Sequence, residues 1–209
     1  MKERGIMFNA EMVRAILDGR KTQTRRIIKS VPATHSFHGW VMSSTCAKDE
    51  GKACWAIGDS PLLKNPVRLN CPLGKIGDRL WVRETFGKRV VRDAAGGTGE
   101  FFTYRASKPD AVYCTCASGT DIPIKWKPAI HMPRHASRIT LEITDVRVER
   151  LQEASDNDFK AEGYPFEREL TGGSTDAFCW FRNLWDSISK PECNFESNPW
   201  VWVIEFKRV

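Results

Sequence analysis

The sequence predicts an α+β fold, and three patterns predict it: segments with apolar residues at helical spacing, segments that alternate as half-buried strands do, and an intervening stretch with neither period. The first helix is read over Asn9 to Asp18. Met12, Val13, Ile16 and Leu17 fall on one side, Asn9 is placed to cap the start, and Gly19 is placed to end it. A long helix is read over Thr175 to Lys190, with Phe178, Phe181, Leu184, Trp185 and Ile188 at helical spacing, all expected in the core, and Pro191 just past the end. A shorter one is expected to start at Ser155, with Asp158 three residues on, and to end at Gly163, leaving Glu162 in its last turn.

The strands follow from alternation. Ile6 to Phe8 reads as a short strand, and Leu80 to Glu84 puts Leu80, Val82 and Glu84 on one face and Trp81 with Arg83 on the other. Either Arg83 or Glu84 is expected to point at a pocket, unless both sit in ion pairs. In Ser137 to Arg150, Ile139, Leu141 and Ile143 alternate, and Val146 and Val148 resume after a break read as a bulge at Thr144-Asp145. Trp200 to Phe206 reads as a buried closing strand. Residues 30–72, with Pro32, Pro61, Pro66 and Pro72, read as an excursion with one hairpin around Gly39 to Trp55. Trp40 and Trp55 are its packing anchors or platforms for stacking bases. A second insertion spans about residues 88–122, with a Gly96-Gly97-Thr98-Gly99 tip that lacks the Lys-Ser/Thr of a phosphate cradle and a returning strand from Phe101 to Ala106. Residues 1–209 are read as one domain.

Composition narrows the partners. The 32 basic residues against 26 acidic ones give a net charge of +6, and the pI is about 9.0, which points to an anionic partner such as nucleic acid, nucleotide or phosphate. No apolar run is long enough to span a bilayer and the start of the chain has no secretory core, so no membrane partner and a cytoplasmic location are expected. Seven cysteines, an odd number, are expected as reduced thiols. Neither Cys46 with Cys54 nor Cys114 with Cys116 has the spacing of a zinc knuckle, so no metal or cofactor is expected; a zinc site would draw on His35 or His38. Oligomeric state is left open.

Two stretches carry chemistry. Arg20 to Arg26 sets four cations and two hydroxyls in seven residues with no acid among them. Extended after Gly19, it would put Thr22, Thr24 and Arg26 on one face and Gln23, Arg25 and Ile27 on the other, with Lys21 at the joint, free to lean over Thr24. Neighbouring positive charge disfavours the ammonium, so Lys21, flanked by Arg20, Arg25 and Arg26, can act as a base that activates the Thr24 hydroxyl. The alternative is a solvated, anion-binding surface. The other stretch is Trp126 to His135, where His131 can hydrogen-bond a substrate and Arg134 a phosphate, or where His131 is structural and Arg134 an exposed cation.

Leu17-Asp18-Gly19-Arg20-Lys21-Thr22-Gln23-Thr24-Arg25-Arg26 resembles the signature of the ASCH domain family. Gly77-Asp78-Arg79-Leu80-Trp81-Val82-Arg83-Glu84, Ile139 to Val146 and Trp200 to Phe206 match further pieces in order, and Trp126 to Pro133 resembles the longer phage and prophage type. The resemblance implies a small β-barrel related to the PUA fold, with flanking helices and loop insertions. It also implies a function: some small members remove the acyl group from N4-acetylcytidine with a Lys, a Thr and a Glu, and others are reported as ribonucleases. Carried over, these residues are Lys21, Thr24 and Glu162, with Glu153 as the fallback for the third. A module that only binds RNA is the alternative, with Arg20, Lys21, Arg25, Arg26 and Arg134 on phosphates and Trp81 or Trp126 stacking a base. A ribonuclease in the same cleft would use Lys21 and His131.

Overall fold

A computed structural model describes every residue except 33, 45, 59–63, 93–97 and 117. The elements in chain order are β1 (Glu3–Met7), α1 (Ala10–Leu17), β2 (Gln23–Ile27), β3 (Ser36–Trp40), β4 (Ala53–Ile57), β5 (Lys64–Leu69), β6 (Arg79–Arg83), β7 (Phe86–Arg92), β8 (Thr98–Tyr104), β9 (Val112–Thr115), β10 (Asp121–Pro123), β11 (Thr140–Arg150), α2 (Asp156–Ala161), α3 (Phe166–Thr171), α4 (Asp176–Ile188) and β12 (Trp200–Arg208). The fold is α+β, built on a five-stranded mixed sheet in the order β1-β6-β11-β12-β2, with β1 and β6 parallel and the other pairs antiparallel. Among the described residues no ladder joins β1 to β2, so the expected barrel is not closed by backbone pairing. An arginine bridges them instead: Arg26 on β2 donates to the Met7 carbonyl at the end of β1.

The two faces of the sheet bury different cores because side chains alternate along each strand. Trp202, Ile204 and Phe206 of β12 join Ile6, Leu80, Val82, Leu141 and Ile143 on one face, while Val201 and Val203 meet Phe159 of α2 and Phe181 and Trp185 of α4 on the other. In β11 the register shifts between Ile143 and Asp145, where the bulge is expected, so Val146 and Val148 rejoin the first core while Asp145, Arg147 and Glu149 face α2.

α1 starts with the Asn9 carboxamide oxygen accepting from the Met12 amide at 2.8 Å and gives way to Gly19 at φ +77°. α2 opens on a reciprocal cap between Ser155 and Asp158. Glu162 is the residue that ends α2, not a member of its last turn. α4 buries Phe181 and Trp185, but Ile188 is exposed, contrary to its expected place in the core. The excursion is a three-stranded antiparallel sheet, β3-β4-β5, one strand more than the expected hairpin. Trp55 is its anchor, fully buried with Phe37, Trp200 and Trp202 packed around its ring. Trp40 packs on Trp202. The second insertion is the β7-β8 hairpin followed by the β9-β10 pair; Gly96 and Gly97 of its glycine run lie outside the described residues.

Candidate functional site

Lys21 is pinned where α1 and α2 both end. The amides of Arg20 and Lys21 donate to the Ala15 carbonyl at 2.9 and 3.0 Å, the Thr22 amide donates to Ala161 at 2.9 Å, and Lys21 forms an isolated bridge with Glu162. Gly163 makes this approach possible: at φ +102°, a Cβ there would sit 3.0 Å from the Ala15 Cβ and 3.2 Å from the Lys21 Cβ. The Lys21 ammonium then donates to the Glu162 carboxylate at 2.7 Å and to the Glu162 carbonyl at 2.8 Å, its side chain wholly covered. Burial pushes the Lys21 pKa down, Glu162 pulls it back, and Arg26 and Arg25 add smaller downward pushes. The expected direction holds, but desolvation leads and the neighbouring guanidiniums come last.

Two corrections follow for this stretch. Lys21 leans on Glu162 rather than over Thr24, and no hydrogen bond joins Lys21 Nζ to Thr24 Oγ among the described residues. The stretch is also not a solvated rim, since Lys21, Gln23, Thr24 and Arg25 are all buried. Thr24 Oγ accepts from Arg26 at 3.0 Å, and the Phe8 ring lies 5.6 Å from Lys21 Nζ and 5.5 Å from the Arg26 guanidinium, so these groups meet around one aromatic ring. Arg26 is pushed to a lower pKa by burial, against the pull of Glu162.

Arg25 points to the other face and is spent there. Its guanidinium pairs with Asp158 at 3.1 Å, Glu149 at 3.2 Å and Glu162 at 3.3 Å, so it is a structural cation and not a free phosphate ligand. Gln23 donates to Asp158, and Arg147 pairs with Asp158, Glu149 and Glu205. This network escaped sequence reasoning, although Asp145, Arg147 and Glu149 recurring every second residue in a strand is the signal that could have found it.

Asp158 gives the network a pH signature. Burial opposes its charge, yet hydrogen bonds from the Ser155 hydroxyl and amide and from Gln23, with Arg25 beside it, hold its carboxyl far below the usual range. The folded pKa lies below the unfolded one, so the unfolded chain takes up the proton first as pH falls. Stability from this group is complete above about pH 4 and is lost progressively below it. Asp158→Asn is expected to flatten the acid side of a chemical-denaturation stability curve; an acid limb of unchanged slope would remove Asp158 from that role.

The other expected site residues divide. Arg20 donates to the carbonyls of Gly163 at 3.0 Å and Tyr164 at 3.2 Å, and with Glu162 it lines a cavity of about 260 Å³ closed by Met12, Trp180 and Leu184. Trp81 lies across Gly5 with the Arg83 guanidinium 5.4 Å over its ring, so it is a packed residue and not an open stacking platform. Arg83 is taken up by the carbonyls of Ala129 and Ile130, and Glu84 is buried in a two-point pair with Arg138 at 2.9 and 3.0 Å; neither points into a pocket. Arg134 pairs with Glu3 at 3.0 Å and reaches Thr140, which corrects its reading as a phosphate ligand. His131 lines a separate, larger cavity beside the β7-β8 hairpin. Glu153 caps the turn after β11 by accepting from the Arg150 amide and takes no part in the Lys21 cluster. Among the described residues, no three His, Cys, Asp or Glu side chains are grouped to hold a metal ion, and no helix is long and apolar enough to cross a membrane.

No family model matches the chain, and no curated protein matches it. Two solved structures are similar to it over nearly its whole length. One is an ASCH domain from Lactobacillus crispatus, 13% identical, covering 99% of this chain and 79% of its own at a TM-score of 0.34. The other is a DUF984 protein from Enterococcus faecalis, 11% identical, covering 100% and 80% at a TM-score of 0.35. An ASCH domain is thus among the structures to which the chain is similar, the family its motifs resemble.

Proposed function

We propose that the protein is a hydrolase acting on the acyl amide of a modified nucleoside such as N4-acetylcytidine, with the mixed sheet as the wall of a small PUA-like barrel. The observation that carries this reading is the buried pair of Lys21 and Glu162, joined by a 2.7 Å hydrogen bond where burial disfavours the Lys21 ammonium. With the proton on Glu162, Lys21 is a free amine. The route requires substrate to draw Arg26 off Thr24 and to bring the Thr24 hydroxyl to that amine. Thr24 Oγ then bonds to the acyl carbon as its proton passes to Lys21, and Arg26 faces the oxyanion. The carbon–nitrogen bond breaks as Glu162 gives its proton to the departing amine. Water attacks the acyl-threonine ester, its proton goes to Glu162, and Lys21 returns the first proton to Thr24.

Binding of RNA without catalysis finds less support, because the guanidiniums of Arg25, Arg83 and Arg134 are already paired with protein acceptors. The test is to incubate the protein with N4-acetylcytidine and follow cytidine and acetate by chromatography. Thr24→Ala and Lys21→Ala are expected to lower turnover by about 100-fold or more, with Thr24→Ser partly active. Undiminished turnover in Thr24→Ala, with melting unchanged, would refute the mechanism.

A further inference from the structure

We propose that the cavity between the β7-β8 hairpin and the 128–136 loop binds a nucleoside monophosphate, free or as the terminal nucleotide of an RNA. This goes beyond the hydrolase reading and does not depend on it. The cavity holds about 650 Å³, within the range of roughly 300–1,000 Å³ usual for small-molecule sites. Its walls are apolar and aromatic, from Phe86, Phe102, Tyr113 and Ile122, and Lys125 and Lys127 stand on its lining. Planar rings offer a base a stacking surface, and the lysines offer a phosphate its counter-charge.

The charges are arranged for an incoming anion. Glu100 is the acid on the lining, and Lys88 neutralises it at 2.5 Å, with the Tyr113 hydroxyl also donating to it. Lys125 and Lys127 make no ion pair among the described residues, which leaves an excess of two positive charges beside a mostly apolar wall. An aliphatic ligand would leave them without a partner.

The cavity is also built in advance of any ligand. Phe86 and Lys127 exchange backbone hydrogen bonds at 3.1 and 2.7 Å, which fixes the Lys127 backbone against β7. A Cβ at Gly87 would fall inside the Ile124 side chain, so only glycine lets the segment carrying Lys125 lie this close. On the opposite wall Met132 is buried against Phe86 and Ala136, and the Tyr104 hydroxyl donates to the Ala136 carbonyl at 2.8 Å. That wall presents His131 and His135, the latter ring 5.9 Å from Phe102. Holding the walls still reduces the ordering cost of binding.

Calorimetric titration of the full chain tests this with uridine 5′-monophosphate, uridine and a uridine pentanucleotide with and without a 5′-phosphate. The monophosphate is expected to bind at least about tenfold more tightly than uridine, and the Lys125→Ala/Lys127→Ala double variant to erase that difference. Phe102→Ala is expected to weaken both ligands by about five- to tenfold or more through lost stacking. Lys48→Ala, an exposed charge elsewhere, is the control. A 5′-phosphate that strengthens the pentanucleotide beyond the mononucleotide identifies an RNA end as the source; equal affinities identify the free nucleotide. No monophosphate binding at millimolar concentration, or equal binding by wild type and the double variant, would overturn the proposal.

Discussion

Glu162→Leu lowers stability by about 3–5 kcal/mol on the expectation that a buried cation left without its partner costs that much, a shift on the order of 10 °C in melting temperature. The Lys21 side chain is entirely covered, and its donors meet a carboxylate and a carbonyl of the same residue. Arg25 keeps Glu149 and Asp158 after the substitution, so the loss falls mainly on Lys21. Lys21→Met alone is expected to cost less, since the carboxylate keeps Arg25 at 3.3 Å, while Lys21→Met/Glu162→Leu recovers most of the Glu162→Leu loss because two apolar groups of similar bulk need no partner. Urea unfolding of the four proteins closes a double-mutant cycle. Glu162→Leu within about 1 kcal/mol of wild type would mean that this pair does not hold the end of α2 against the start of β2.

Trp55→Ala is the second large loss, about 3–5 kcal/mol, because it empties the place where the excursion docks. The indole has no exposed surface and is flanked by Trp200 and Trp202 from the last strand and by Phe37 from its own sheet. Its ring nitrogen is buried without a partner among the described residues, so Trp55→Phe removes an unsatisfied donor along with part of the ring and is expected to cost less. The measurement is the free energy of unfolding, with proteolysis of residues 30–72 as a local readout. If Trp55→Ala unfolds like wild type and those residues are cut no faster, docking rests on other contacts.

Elements with a strong period were legible in the sequence. The α1 and α4 patterns, the alternation in β6 and β11, the apolar run of β12 and the bulge after Ile143 all followed from where apolar residues recur. α3 was not, because it exposes Phe166 and Leu170 and buries no residue, leaving no stripe to read. β5 was obscured by Pro66, a residue that demotes a strand; among the described residues β5 pairs only with β4, and an edge tolerates the missing donor. The residues at the site were legible as types but not as partners. A local count of charge in Arg20 to Arg26 suggests a wet cationic surface, while the acids that bury Lys21 and Arg25 arrive from more than 120 positions away.

The bulge in β11 has a consequence for how the chain tolerates changes in length. Before it, odd-numbered residues fill the apolar core; beyond it, even-numbered ones do, and the odd ones carry the charges that hold Asp158 and Arg25. Deleting Thr144 would remove the extra residue and leave Ile143, Val146 and Val148 on the apolar face and Asp145, Arg147 and Glu149 on the other, whereas deleting Val146 would swing Arg147 and Glu149 into the hydrocarbon interior and turn Val148 outward. A single-residue deletion is therefore expected to be absorbed by the loops of the excursions and at Thr144 itself, and refused in the regular part of β11, where one backbone unit decides which half of the molecule each later side chain serves.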